Sequence, residues 1–266
     1  MRFPWRRWLI AGACTYMFAV LILPLALLVI EAGRAGIGNV VRELSSSGAL
    51  QALALSLLVA FFAVLVNTVF GVGAAIVLVR HQFPGRRALD TLVDLSLAVS
   101  PVMIGLAMLL LFGRGGWLYP VLERWDVQVA FAVPGVVLCT LFVTLPFTVR
   151  EVAYVLEEVG VDEEQVAATL GANSWQIFRR VTLPNISTGL RLGIVLTTAR
   201  ALGEFGAVLV VGGAITGRTQ TATTFIYAAT EERRSAAALG MAVLLAVISM
   251  LLLTALTKLR RTGHHA

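Results

Sequence analysis

The sequence predicts an all-α membrane protein, a single domain over residues 1–266, with six transmembrane helices and both termini in the cytoplasm. Three observations predict it. The chain is 58% hydrophobic and 14% charged, whereas soluble domains run near a quarter charged. Six apolar segments reach the roughly 20 residues that a helix needs to cross about 30 Å of hydrocarbon. The period-2 alternation that marks a membrane barrel is absent.

The segments lie near 8–30, 50–79, 91–112, 129–149, 188–213 and 236–257. The first follows a basic start, MRFPWRRW, which is the order of parts in a signal peptide. Its apolar run of 23 residues exceeds the roughly 7–15 of a signal core, so it reads as a retained span. The second is long and either begins at the interface or tilts. The third carries Ser96 and Ser100 ahead of a break at Pro101, and the fourth holds Pro134 and Pro146; these three prolines mark kinks. The fifth places Arg200 and Glu204 near its middle. The sixth runs into Lys258, Arg260 and Arg261.

Basic residues orient the spans. With the N-terminus inside, the cytoplasmic side holds Arg2, Arg6, Arg7, Arg80, Arg86, Arg87, Arg150, Arg179, Arg180, Lys258, Arg260 and Arg261, 12 of the 21 Lys and Arg. The outer loops hold seven: Arg34, Arg42, Arg114, Arg124, Arg218, Arg233 and Arg234. That bias follows the positive-inside rule. It also accounts for the net charge of +6 without nucleic acid as a partner. Cys14 and Cys139 lie in apolar runs, and His81, His264 and His265 form no ligand set, so neither a disulfide framework nor a metal site is expected.

Between spans four and five lies the longest loop, residues 150–187, on the cytoplasmic side. Long loops in compact domains tend to carry function. Its centre reads EEQVAATLGANSWQIFRRVTLP (163–184). Asp162 is placed to cap a helix from Glu163, with acids in the first turn where the dipole favours them. Gly171 fits the left-handed position that ends it. Ser174 caps a second short helix, and Pro184 stops it, with Leu183 biased to extended geometry. Val166, Leu170, Trp175, Phe178 and Val181 are too many apolar side chains for so small a unit to cover. They either fold back on the bundle or await a partner.

This loop resembles the cytoplasmic signature of importer-type ABC permeases: Glu-Ala-Ala, three residues, Gly, nine residues, Ile, one residue, Leu-Pro. Set on Gly171, the pattern matches Ala167, Leu183 and Pro184, with Val181 for the Ile; Gln165 and Val166 depart from it. Further segments, DLSLAVSPVMIGLAMLLLFG (94–113), FAVPGVVLCTLFVTLPFTVREV (131–152), LGANSWQIFRRVTLPNI (170–186) and ARALGEFGAV (199–208), resemble the sulfate/thiosulfate importer permeases of W type. ARALGEFGA and GRTQT (217–221) discriminate less, because molybdate and tungstate permeases carry similar pieces.

The resemblance implies the type I ABC importer permease fold in a bacterial inner membrane. It implies a second permease of T type, two ATPase subunits and an external sulfate-binding protein as partners. It further implies a coupling set of Glu164, Gln165, Ala167, Ala168, Gly171, Trp175, Phe178, Leu183 and Pro184 that docks on the ATPase. The chain has no GxxxxGK[ST] phosphate loop, so no catalysis is expected of it and ATP-Mg belongs to the partner. Energy coupling is needed, since each negative charge moved against 100 mV costs about 2.3 kcal/mol. Candidates for the anion path are Ser100, Thr197, Arg200 and Glu204, with Asn67, Thr68, Ser96 and Thr198 nearby in the spans. For each hydroxyl the competing role is a bond to its own or a neighbouring helix. For Arg200 and Glu204 it is an ion pair that locks the bundle. The alternative function is a molybdate or tungstate permease. A secondary carrier or membrane enzyme is the reading from another class, and no internal repeat or reactive constellation favours it.

Overall fold

The computed structural model describes residues 5–262, with side chains from Leu9 to Lys258. Arg2, His264 and His265 lie outside the described residues, as do the side chains of Arg6, Arg7, Arg260 and Arg261. Every regular element among the described residues is helical. The first apolar segment is α1 (Trp5–Met17), a π-helical turn (Phe18–Ile22) and α2 (Leu23–Arg34). A short α3 (Ile37–Leu44) leads to α4 (Ser47–Arg80), about 51 Å long at 1.5 Å per residue. Then come α5 (Arg86–Ala98), α6 (Pro101–Phe112), α7 (Tyr119–Arg124) and α8 (Val133–Val159). The loop region holds α9 (Asp162–Thr169), α10 (Ser174–Ile177) and a second π-helical turn (Phe178–Thr182). The chain ends with α11 (Leu183–Leu202), α12 (Gly206–Gly212), α13 (Ala222–Glu231) and α14 (Ser235–Thr262).

Among the described residues four stretches are long and apolar enough to cross a membrane unbroken: Leu9–Arg34, Ser47–Arg80, Val133–Val159 and Ser235–Lys258. The third and fifth expected spans are instead bent pairs. Helices α5 and α6 meet at 115°, and the helix from Ser174 to Leu202 meets α12 at 55°. The count is six only if each pair is one span. At the first break Val99 and Ser100 are extended and Pro101 starts a new helix, since it has no N–H to donate to the old one. The other two prolines do not interrupt their helix. Pro134 sits in the first turn of α8, where its missing N–H is no loss, and Pro146 lies inside a helix that continues to Val159.

Both π-helical turns end two residues before a proline, at Ile22 ahead of Leu23-Pro24 and at Thr182 ahead of Leu183-Pro184. Proline removes one i→i−4 bond and its ring crowds the carbonyl four residues back. A wider turn relieves that crowding, and the N–H of Leu183 reaches Phe178 O, five residues back. This overturns the expectation that Pro184 stops the helix and that Leu183 is extended. Leu183 has φ −63° and ψ −43°, and the helix runs on to Leu202.

The core lies where α4, α8 and α11 pack together. Val72, Ala75, Val149, Val152, Leu156 and Ile186 are buried there. Lipid gives helices no hydrophobic reason to associate, so close packing of small residues and polar contacts must do it. A Cβ on Gly193 would lie 2.9 Å from Thr148 Cα, too near for any other residue. Asn67 donates to Thr144 Oγ1 at 2.8 Å and to Leu141 O at 3.2 Å, joining α4 to α8. The first span is different: no residue of α2 or of its π turn is buried.

Arg80 and Arg234 lie at opposite ends of α4. Arg80, at the C-terminal end of α4, meets the C-terminal end of α8. At the other end of α4, Gly48 lies beside Thr216, and Arg234 pairs with Glu43 at 3.3 Å.

Candidate functional site

Two regions carry the residues singled out by the sequence, the loop after α8 and the break after α11. The loop starts later than expected, because α8 is helical to Val159. In α9 the cap position is Val161, with no side-chain bond, so Asp162 is the first helical residue and not the cap. Asp162, Glu163 and Glu164 fill the first turn, where the partial positive charge of the N-terminus favours them. The helix ends as read: Gly171 has φ +83°, Gly171 N–H donates to Ala168 O and Ala172 N–H to Ala167 O. That is a Schellman closure, which satisfies two orphan carbonyls. The next cap is Asn173, not Ser174. Its side chain accepts from Gln176 N at 2.9 Å while Gln176 Oε1 accepts from Asn173 N at 2.9 Å, a reciprocal capping box.

The loop has two faces. On the outer one Leu170 is 83% exposed, Trp175 67% and Val166 58%. Gln165, Ala168 and Pro184 are exposed as well, and Ala167 half-buried. A groove of about 310 Å³ runs between Ala167, Leu170, Gly171, Gln176, Arg180 and Val181. On the inner face Phe178 and Leu183 pack on the core, and Phe178 meets the Trp175 ring at 5.6 Å. So the apolar excess is split, part folded back and part left open. Glu164 turns inward: its carboxylate lies 3.2 Å from Arg80 Nε and accepts from Thr182 Oγ1 at 2.8 Å.

At the break, Arg200 NH1 stands 2.6 Å from Glu204 Oε2. The sequence places both mid-helix, but α11 ends at Leu202 and the pair bridges the interruption. Glu204 is buried, its Oε1 accepts from Ala207 N at 3.1 Å and its main-chain O from Thr223 Oγ1 at 2.7 Å. One carboxylate thus neutralises Arg200 and satisfies an orphan N–H of α12. The other break abuts this one, since a Cβ on Gly206 would sit 3.6 Å from Pro101 Cβ. Ser100, exposed, stands there without a side-chain cap bond. Thr197 is fully buried, its Oγ1 3.1 Å from Thr148 Oγ1. Ser96 and Thr198 bond their own helices, to Val93 O and Ile194 O. Of the four path candidates the structure therefore joins Arg200 to Glu204, sets Ser100 at the neighbouring break, and packs Thr197 between α8 and α11.

Sequence reading missed the partners that come from far along the chain. Arg80 counted only as a topological charge, and Thr182 not at all. Arg150 spans two carboxylates of α5, Asp90 at 2.6 Å and Asp94 at 2.7 Å; the i,i+4 spacing of those aspartates is the signal that could have shown it.

The model of the family described as binding-protein-dependent transport system inner membrane component matches residues 67–262. The chain belongs to that family. It is 46% identical over 258 residues to the sulfate transport system permease protein CysW of Synechocystis sp., covering 97% of this chain and 94% of that one. It is 35% identical over 245 residues to the sulfate transport system permease protein CysT of Escherichia coli (strain K12), covering 92% and 88%. Among solved structures it matches a chain of a bacterial alginate ABC transporter in complex with an alginate pentasaccharide-bound periplasmic protein. There the TM-score is 0.80 at 17% identity, with 97% of each chain covered. The family member thus has the all-helical fold of ABC importer permeases.

Proposed function

We propose that this chain is the membrane-spanning permease subunit of an ATP-driven ABC importer for sulfate, with thiosulfate as a further cargo. The single observation that carries the cargo is the 46% identity, over nearly the whole of both chains, to a relative named as a sulfate permease. The similarity to a CysT protein as well as a CysW protein supports a heterodimer with a T-type permease. Two ATPases and an external binding protein complete the assembly. In this reading each bent pair counts as one crossing, giving six spans with both termini cytoplasmic in a bacterial inner membrane. ATP-Mg is bound and hydrolysed by the partner, and this chain catalyses no reaction.

The outer face of 163–184 docks on the ATPase: Leu170 and Trp175 are the exposed anchors, and the groove beside Gly171 receives a partner side chain. When the ATPases close, the loop is carried with them and the bundle passes from inward-open to outward-open. The binding protein then releases its dianion to a path at the two helix breaks. Arg200 supplies attraction there and Glu204 tempers it. The molybdate or tungstate reading keeps the architecture, and no relative named above speaks for it.

Labelled sulfate uptake in a strain deleted for this gene and complemented with it tests the reading. Restored uptake that excess molybdate does not depress supports it. Displacement by molybdate, or uptake and ATPase association that survive deletion of 163–184, overturns it.

A further inference from the structure

Helix α9 is bracketed by two glycines in the left-handed region, Gly160 at φ +71° and Gly171 at φ +83°, both with open space where a Cβ would be. An eight-residue helix held only by such ends would swing on them. It does not hang free, because one side chain spans the gap. Arg80 is the last residue of α4, and its side chain is 13% exposed. NH1 donates to Leu156 O at 3.1 Å, and NH2 donates to Gly160 O and, at 3.4 Å, to Glu164 Oε1. Nε faces Glu164 Oε2 at 3.2 Å. The cation therefore sits on the negative end of the α8 dipole and on the first-turn carboxylate of α9 at once. Glu164 in turn accepts from Thr182 in the π turn that feeds α11, and Asn185 of α11 donates to Glu163 at 2.6 Å.

We infer that Arg80 is a positioning residue for energy coupling: it clamps α9 to the ends of α4 and α8, while Thr182 and Asn185 tie the same helix to the start of α11, so that a push on the outer face of the loop moves those three core helices as one body. The inference rests on the importer reading above. A planar guanidinium is suited to this, since it presents several donors in fixed directions and a lysine does not. The clamp also accounts for Glu164 standing inward, one residue from the signature position that Gln165 occupies.

The test uses the assembled complex in liposomes, with wild type, Arg80→Lys and Arg80→Ala. Two quantities are read: sulfate taken up per ATP hydrolysed, and amide hydrogen exchange across 162–170. With Arg80→Ala the ATPase stays bound, uptake per ATP falls about tenfold, and exchange in α9 rises about tenfold while the middle of α8 keeps its protection. Arg80→Lys falls between. An unchanged ratio in an assembled complex overturns the inference, and so does a fallen ratio with α9 exchange unmoved. Should Arg80→Ala not assemble, Glu164→Gln replaces it; that variant keeps an acceptor for Thr182 and loses the charge facing Arg80, and the same two readouts must move the same way. Failure of the wild-type complex to bind the ATPase or take up sulfate strikes the importer reading instead. The rise in α9 exchange still reports on the clamp alone.

Discussion

The loop at 160–182 and the break at 202–206 are built from the same parts and put them to opposite use. Each interrupts a helix, and each holds an Arg–Glu pair, Arg80 with Glu164 and Arg200 with Glu204. At the break the acid is turned inward: the side chain of Glu204 is 1% exposed and serves both Arg200 and the first turn of α12. In the loop the acid, Phe178 and Leu183 are turned inward, and the apolar residues Leu170 and Trp175 are left outside. A buried pair makes an interruption part of the bundle's architecture. A pair set beneath an open apolar face makes a handle, fixed on one side and available on the other.

The largest effect belongs to the break. Glu204→Ala leaves Arg200 without its partner and Ala207 N–H without an acceptor, which should destabilise the fold by about 3–5 kcal/mol. Thermal unfolding in detergent reads this, and Glu204→Gln, which keeps the acceptor, should lose less. Melting like wild type would dissolve the contrast, since the break would then be no more rigid than the loop. Next comes the outer face. Leu170→Ala with Trp175→Ala should weaken ATPase binding by about 2 kcal/mol, roughly 30-fold, while the melting of the isolated chain shifts by no more than about 0.5 kcal/mol. If stability falls as far as affinity, the outer face is not free. Smaller again is Gly171→Ala: a Cβ there meets nothing, so only the left-handed backbone penalty of about 1–2 kcal/mol remains. It should appear as faster exchange confined to α9. Smallest is Asn173→Ala, worth about 1 kcal/mol from the lost cap, seen at the amides of α10 with α11 unaffected.

What the sequence made legible follows the range of the interaction. The turn at Gly171, the open apolar residues of the loop and the meeting of Arg200 with Glu204 depend on neighbours within a few positions, and each was readable. The Asn173 cap was missed by one residue because Asn and Ser are comparable caps standing side by side. Pro184 was misread as a stop because the widened turn before it is invisible in a residue pattern. Arg80 and Glu164 are 84 positions apart, and nothing in a single sequence ties them together; Arg150 stands 60 and 56 positions from Asp90 and Asp94, with the i,i+4 spacing of the two acids as its one signal. Bending of the third and fifth apolar segments was half visible. Pro101 announced one break, while Arg200 and Glu204 read as the middle of an unbroken fifth segment.

The first helix draws a separate lesson. None of the core clusters contains a residue before Ala49, and nothing in Leu9–Arg34 is buried. That helix is exposed along most of its length, with α2 resting against α14. During synthesis it can enter the membrane and be complete before any residue of the core has been made. Its insertion and the folding of the remaining helices are two events, ordered in time, and a defect in one need not register in the other.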